Sequence, residues 1–165
     1  MLSFLFALSL HTLAAPPELP QWARQHWQTA GLDKAYSRTT YVQPGFLVAD
    51  FNGDGKQDVA VLVVKKQNHS RGIVILHQGT PQPYVLGTGS NLSKDMLQGD
   101  FEWATYWHLY RKPTTFEVTF DKSGDIAGDR TVRLRHPTIE LGQEESGGGM
   151  IYWNGQKYIW LHQTC

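Results

Sequence analysis

Val48-Ala49-Asp50-Phe51-Asn52-Gly53-Asp54-Gly55-Lys56-Gln57-Asp58-Val59-Ala60-Val61-Leu62-Val63-Val64 is the stretch that decides how this chain folds. Val59 to Val64 is apolar at every position and rich in β-branched residues, whose side chains are stiff and pack well on a pleated surface, so it predicts a strand. With no polar position to face water, that strand is expected to be central and buried on both faces. Phe46-Leu47-Val48-Ala49 is a second, shorter run of the same kind, and the polar, glycine-containing segment between them must turn the chain.

Working outward, Lys65 to Gly72 is polar and reads as a turn, after which Ile73-Val74-Ile75-Leu76 returns as an antiparallel partner. Near the other end, Met150-Ile151-Tyr152-Trp153 and Lys157-Tyr158-Ile159-Trp160-Leu161 flank Asn154-Gly155-Gln156. Asn-Gly between β-rich runs predicts a hairpin, because the central turn residues need positive φ. Glu117 to Phe120, Thr131 to Leu134 and Thr138 to Leu141 are further strand candidates. Upstream, Leu19, Trp22, Ala23, Trp27 and Ala30 recur at helical spacing, and Gly31 stands where a helix C-terminal cap belongs, so a helix is predicted from about Pro20 to Ala30. The expected fold is mainly β with an N-terminal helix: one twisted antiparallel sheet packed by that helix, with the polar loop between two strands.

That loop carries the chemistry. Asp50, Asn52, Asp54 and Asp58 occupy positions one, three, five and nine, Gly55 position six and Lys56 position seven. A hard cation such as Ca²⁺ takes several oxygen ligands at ~2.3–2.6 Å, and alternate side chains around a tight turn can converge on one point. Gly55 permits the sharp turn and Lys56 can offer its carbonyl. Three carboxylates held close without a cation would repel one another. An ordinary solvated acidic turn is the competing reading, because Asn-Gly and Asp-Gly also make simple turns. Val61 at position twelve rules out an EF-hand, which has a bidentate Glu there.

Val48 through Val61 resembles the FG-GAP, or VCBS-type, repeat of integrin α-subunits and many bacterial surface proteins. The resemblance, which covers residues 46–64, implies that the acidic loop joins two antiparallel strands and binds Ca²⁺ through Asp50, Asn52, Asp54, the Lys56 carbonyl and Asp58. A single copy of the loop is present, which excludes a propeller built from this chain alone. The ending, Glu144-Glu145-Ser146-Gly147-Gly148-Gly149 followed by Ile151 to Trp160, looks similar to small bacterial exported proteins carrying one such loop.

Composition bounds the rest. With 165 residues, 41% hydrophobic and 18% charged, the chain suits one globular domain. Basic and acidic residues balance at 15 each, so no excess charge is present to hold a nucleic-acid backbone or an anionic membrane. Leu2 to Leu13 is almost wholly apolar but too short to span a bilayer, which takes ~20 residues, so no integral membrane segment is expected. Ala14-Ala15-Pro16-Pro17 follows with small residues suited to signal-peptidase cleavage, although no Lys or Arg precedes the apolar run. Residues 1–15 are accordingly read as a signal peptide, with a buried N-terminal helix as the alternative. Residues 16–165 form the single β-rich domain, located in a bacterial periplasm or outside the cell. Cys165 is the only cysteine, so no internal disulfide forms.

Other candidates weigh less. Phe101 to Tyr110 is dense in aromatics that could stack on sugars or anchor a protein, yet filling the core is the favoured role. Asp121, Asp125 and Asp129 recur at a spacing of four and read as a solvated turn. Gly147 to Gly149 lacks the helix of a phosphate nest and reads as a flexible loop. No metal-protease histidine pair and no nucleophile elbow is present. The function expected is a non-enzymatic Ca²⁺-binding module with a protein or glycan partner. The alternative is a glycan hydrolase using Asp95, Asp100 or Glu102 as acid and base.

Overall fold

The computed structural model describes residues 18–89 and 99–163. The expected signal peptide, Asp95 and Cys165 lie outside the described residues. A helix, α1 (Gln21–Thr29), is followed by a short α2 (Leu32–Ala35). The strands are β1 (Tyr36–Arg38), β2 (Phe46–Ala49), β3 (Asp58–Lys65), β4 (Arg71–Leu76), β5 (Pro83–Gly87), β6 (Tyr106–Tyr110), β7 (Thr114–Phe120), β8 (Ile126–Arg133), β9 (Thr138–Gln143), β10 (Gly147–Trp153) and β11 (Tyr158–Gln163). Gly31, at φ 65°, turns the chain between the two helices, as its place after the apolar spacing predicts.

The mainly β fold with its N-terminal helix agrees with the sequence, but the single sheet is corrected to three antiparallel ones. The first carries β1, β3, β4 and β5 in order, with β2 also on β3; the second runs β11-β10-β9-β6; β7 and β8 form a two-stranded third. The physical reason lies in β3 itself. Val59, Val61 and Val63 pack with Leu19, Ala23 and Trp27 of the helical segment. Ala60 and Leu62, on the opposite face, pack with Trp107, Ile139, Leu141 and Ile151 from the second sheet. One helix can cover only one face of a sheet, and a strand apolar on both faces needs a second layer.

The aromatic stretch fills that second layer. Trp107 is 2% exposed and faces the core, as do Phe101 and Ala104, while His108 on the reverse face is exposed. Gly147 to Gly149 forms the start of β10, which corrects the flexible-loop expectation. A Cβ on Gly149 would run into the Trp160 indole, and one on Gly148 would come within 2.5 Å of the Leu141 carbonyl oxygen, so these positions admit strands and rings that a side chain would hold apart. Among the described residues no helix is long and apolar enough to cross a membrane.

The closing hairpin pairs Trp153 with Tyr158 across Asn154 to Lys157. Asn154 Oδ1 accepts the N–H groups of Gln156 and Lys157, both at 3.0 Å, and Gly155 sits at φ 99°. A residue with a Cβ is strained there, so Gly155→Ala is expected to destabilise the fold by about 1 kcal/mol or more. Urea unfolding checks this, and an unchanged midpoint would show that the turn tolerates negative φ.

Candidate metal centre

The acidic loop closes the β2–β3 hairpin, with Ala49 opposite Asp58, so Asp50 leaves one strand and Asp58 opens the next. Phe51, 1% exposed, drives into the core between the two larger sheets and anchors the loop's second position. Gly53 and Gly55 sit at φ 78° and 83°, the left-handed conformation that lets the chain curl between the acidic positions.

Side-chain oxygens gather the loop's backbone donors. Asp50 Oδ1 accepts from Gly53 N (2.7 Å) and Asp54 N (3.1 Å), and its Oδ2 accepts from Gly55 N (2.9 Å). Asn52 Oδ1 accepts from Asp54 N at 3.0 Å, and Asp54 Oδ1 from Lys56 N at 2.9 Å. That last bond holds the Asp54 carboxyl below its ordinary pKa. The Lys56 ammonium stands 3.9 Å from Asp54 Oδ2, so its side chain stays with its neighbour while its carbonyl is the group the resemblance nominates.

Asp58 is different in kind. It is fully buried; its Oδ2 accepts from Phe51 N (2.9 Å) and Asn52 N (3.3 Å), and its Oδ1 accepts from Gln78 N (3.0 Å). Burial pushes its pKa up to about 6 against the opposing effect of these three N–H groups. His77 Nε2 lies 4.0 Å from Asp58 Oδ2, but burial lowers the imidazole pKa, so near neutral pH the ring brings no positive charge. No Lys or Arg reaches Asp58 among the described ion pairs. A buried carboxylate is ordinarily paired with a cation or bound to a metal.

The donor chemistry therefore suits a hard cation: each of the four loop side chains that could bind it offers an oxygen, and the most buried carboxylate has no Lys or Arg partner among the described residues. The arrangement is nonetheless one of carboxylates spread over backbone N–H groups. Among the described residues no three His, Cys, Asp or Glu side chains are drawn together as a metal-holding group. Each carboxylate oxygen that accepts one N–H keeps further lone-pair capacity.

A buried cluster under the loop has no counterpart in the sequence reading. The Tyr158 hydroxyl is 2.6 Å from His77 Nε2, and burial raises the Tyr158 pKa far above its usual value, so it remains a donor. Tyr84, Trp153 and Tyr158 surround the His77 ring with centroids at 4.8, 5.1 and 5.8 Å. These contacts tie β4, which ends beside the loop, to the closing hairpin of the second sheet. Tyr158→Phe leaves His77 Nε2 without that partner in a dry site, at an expected cost of about 1–3 kcal/mol. Denaturant midpoints measure it, and a variant as stable as the parent would remove this bond from the account.

The remaining candidates separate clearly. Asp121 Oδ1 accepts from Ser123 N (2.9 Å) and Asp125 N (3.0 Å) in an exposed turn, the solvated arrangement expected of them, whereas Asp129 is not in that turn but lies within β8 opposite Val118. Asp100 Oδ1 accepts from Arg71 N (3.0 Å) and Glu102 N (2.8 Å), so it pins two backbone segments, and Glu102 is exposed. No family model, no curated protein and no solved structure matches the chain.

Proposed function

We propose that this protein is an exported, non-enzymatic module in the periplasm or outside the cell, whose β2–β3 loop holds one Ca²⁺ and whose adjoining surface binds a protein or glycan partner. The observation that carries the reading is Asp58. It is a buried carboxylate with no Lys or Arg neighbour among the described residues, in a loop whose other acidic and amide side chains stand at alternating positions. Asp50, Asn52, Asp54, the Lys56 carbonyl and Asp58 would hold the ion. Bound there, Ca²⁺ supplies positive charge that offsets the loop's carboxylates. The chain's own residues do the rest: Phe51 fixes the loop to the core, and the two left-handed glycines let it turn. A pull-down of proteins and glycans from the native host, with Ca²⁺ and with chelator, tests the partner half of the reading. Asp50→Ala should capture no more with Ca²⁺ than the parent does with chelator. Equal capture by parent and variant in Ca²⁺ would separate partner binding from the loop.

A further inference from the structure

Across from the metal loop, the corner between β8 and β9 and the closing hairpin form the other walls of a groove of about 490 Å³. Gly53, Arg135, His136, Tyr152, Trp153 and Asn154 supply most of its lining. Its size is that of a pocket for a small ligand, which runs to roughly 300–1,000 Å³.

The walls are held in place from behind. His136 stacks on Tyr152 with centroids 5.0 Å apart and planes at 17°. A Cβ on Gly53 would come within 3.1 Å of His136 Cδ2, so the glycine sets how closely loop and corner approach. Trp153 meets His77 and Tyr84 edge to face, at 87° and 72°, which fixes the half-buried indole beside the groove. The Arg135 N–H donates to the Tyr152 hydroxyl at 3.4 Å, so the backbone carrying the guanidinium is tied to the same wall.

Charge then selects the ligand. Arg135 is exposed and makes no ion pair among the described residues. It is the one Lys, Arg, Asp or Glu in the lining. A guanidinium presents a planar fork that matches a carboxylate with two parallel hydrogen bonds. An indole offers a broad apolar surface next to polar groups, as a sugar ring with its C–H face requires.

We propose that this groove binds a uronic-acid-bearing glycan, with Arg135 holding the sugar carboxylate and Trp153 contacting the pyranose ring. The assignment rests on the function proposed above, since it names that module's partner and uses the metal loop as one wall.

Titration calorimetry on the purified protein tests it, using a glucuronic-acid-containing tetrasaccharide, its carboxyl-reduced neutral form and a tetraglutamate peptide. The acidic sugar is expected to bind saturably. Reducing its carboxyl groups, or making Arg135→Ala, should weaken binding about tenfold or more, the size of a lost charged hydrogen bond, with Arg135→Lys in between. An unchanged melting temperature for Arg135→Ala shows that the loss is local. No binding of the acidic sugar, equal binding of its neutral form, indifference to Arg135→Ala, or tighter binding of the peptide would each overturn the assignment. Melting with Ca²⁺ and with chelator keeps the two readings apart. A Ca²⁺-dependent rise without sugar binding defeats the groove alone, whereas Arg135-dependent sugar binding without that rise leaves the groove standing and defeats the metal.

Discussion

Trp107→Ala is expected to destabilise the protein by about 3–5 kcal/mol, the usual cost of truncating a buried aromatic. The indole is 2% exposed and belongs to the cluster shared by the two larger sheets, so its removal opens a void that neither sheet can close alone. It also donates Nε1–H to the Pro44 carbonyl at 2.6 Å, fixing β6 to the segment before β2. A domain of this size has a total stability of roughly 5–15 kcal/mol, so a large share is lost. The melting temperature should fall by roughly 6–20 °C. His108→Ala, one residue on but exposed, removes a 2.9 Å contact to Glu140 and a surface stacking contact with the Tyr106 ring. That substitution should cost less than about 1 kcal/mol. Thermal melts of both variants decide the matter. Similar losses in the two would mean that β6 does not present alternate residues to core and solvent.

That alternation explains part of what the sequence concealed. In Tyr106-Trp107-His108-Leu109-Tyr110 aromatic or apolar side chains stand on both faces, so no polar period marks the strand. By contrast, Val59 to Val64 needs no alternation to be read, because its uniform apolarity already implies a layer on each side. The N-terminal helix covers one of those faces, and the second sheet covers the other. Which strands pair is a long-range matter: β6 finds β9, more than thirty residues later, through the register of Trp107 with Leu141. Nothing local to either segment encodes that choice.

Glycine conceals a strand as well. Gly147 to Gly149 lacks any β-propensity, yet the strand needs small residues where Trp160 and the Leu141 carbonyl press close. The acidic loop was legible as a polar hairpin connection because its signal is local, a register of oxygens and glycines within nine residues. Its support was not. His77 follows β4 with no distinguishing pattern, and only the folded chain brings Tyr158 from 81 residues away to hydrogen-bond it. Arg135 and Trp153 were equally invisible as neighbours of Gly53, since three separate segments form that groove.

Millimolar Ca²⁺ is expected to raise the melting temperature, and the rise should fade in acid. A single loop without a position-twelve Glu should bind weakly, with Kd around 10⁻⁴–10⁻³ M. At the tight end of that range, linkage gives roughly 1.4 kcal/mol, which for a domain of this size is roughly 3–6 °C. Mg²⁺ should do much less, because it demands smaller, near-octahedral coordination and sheds water reluctantly. Asp50→Ala should abolish the rise, whereas Asp121→Ala, in the exposed turn, should leave it intact. The pH dependence follows from Asp58, whose pKa burial raises to about 6. Calcium needs the ionised carboxylate, so protons compete as pH falls through that value. Between pH 7 and pH 5 the affinity should weaken about tenfold, shrinking the rise to roughly 1 °C. In chelator the same group acts with the opposite sign. Its raised pKa contributes stability that is full below the unfolded value of ~3.9 and lost as pH rises through about 6. Only the difference between the Ca²⁺ and chelator melts at each pH isolates the metal. Coincident melts at pH 7 would end the case for a calcium site, and a rise of equal size at pH 5 would take Asp58 out of it.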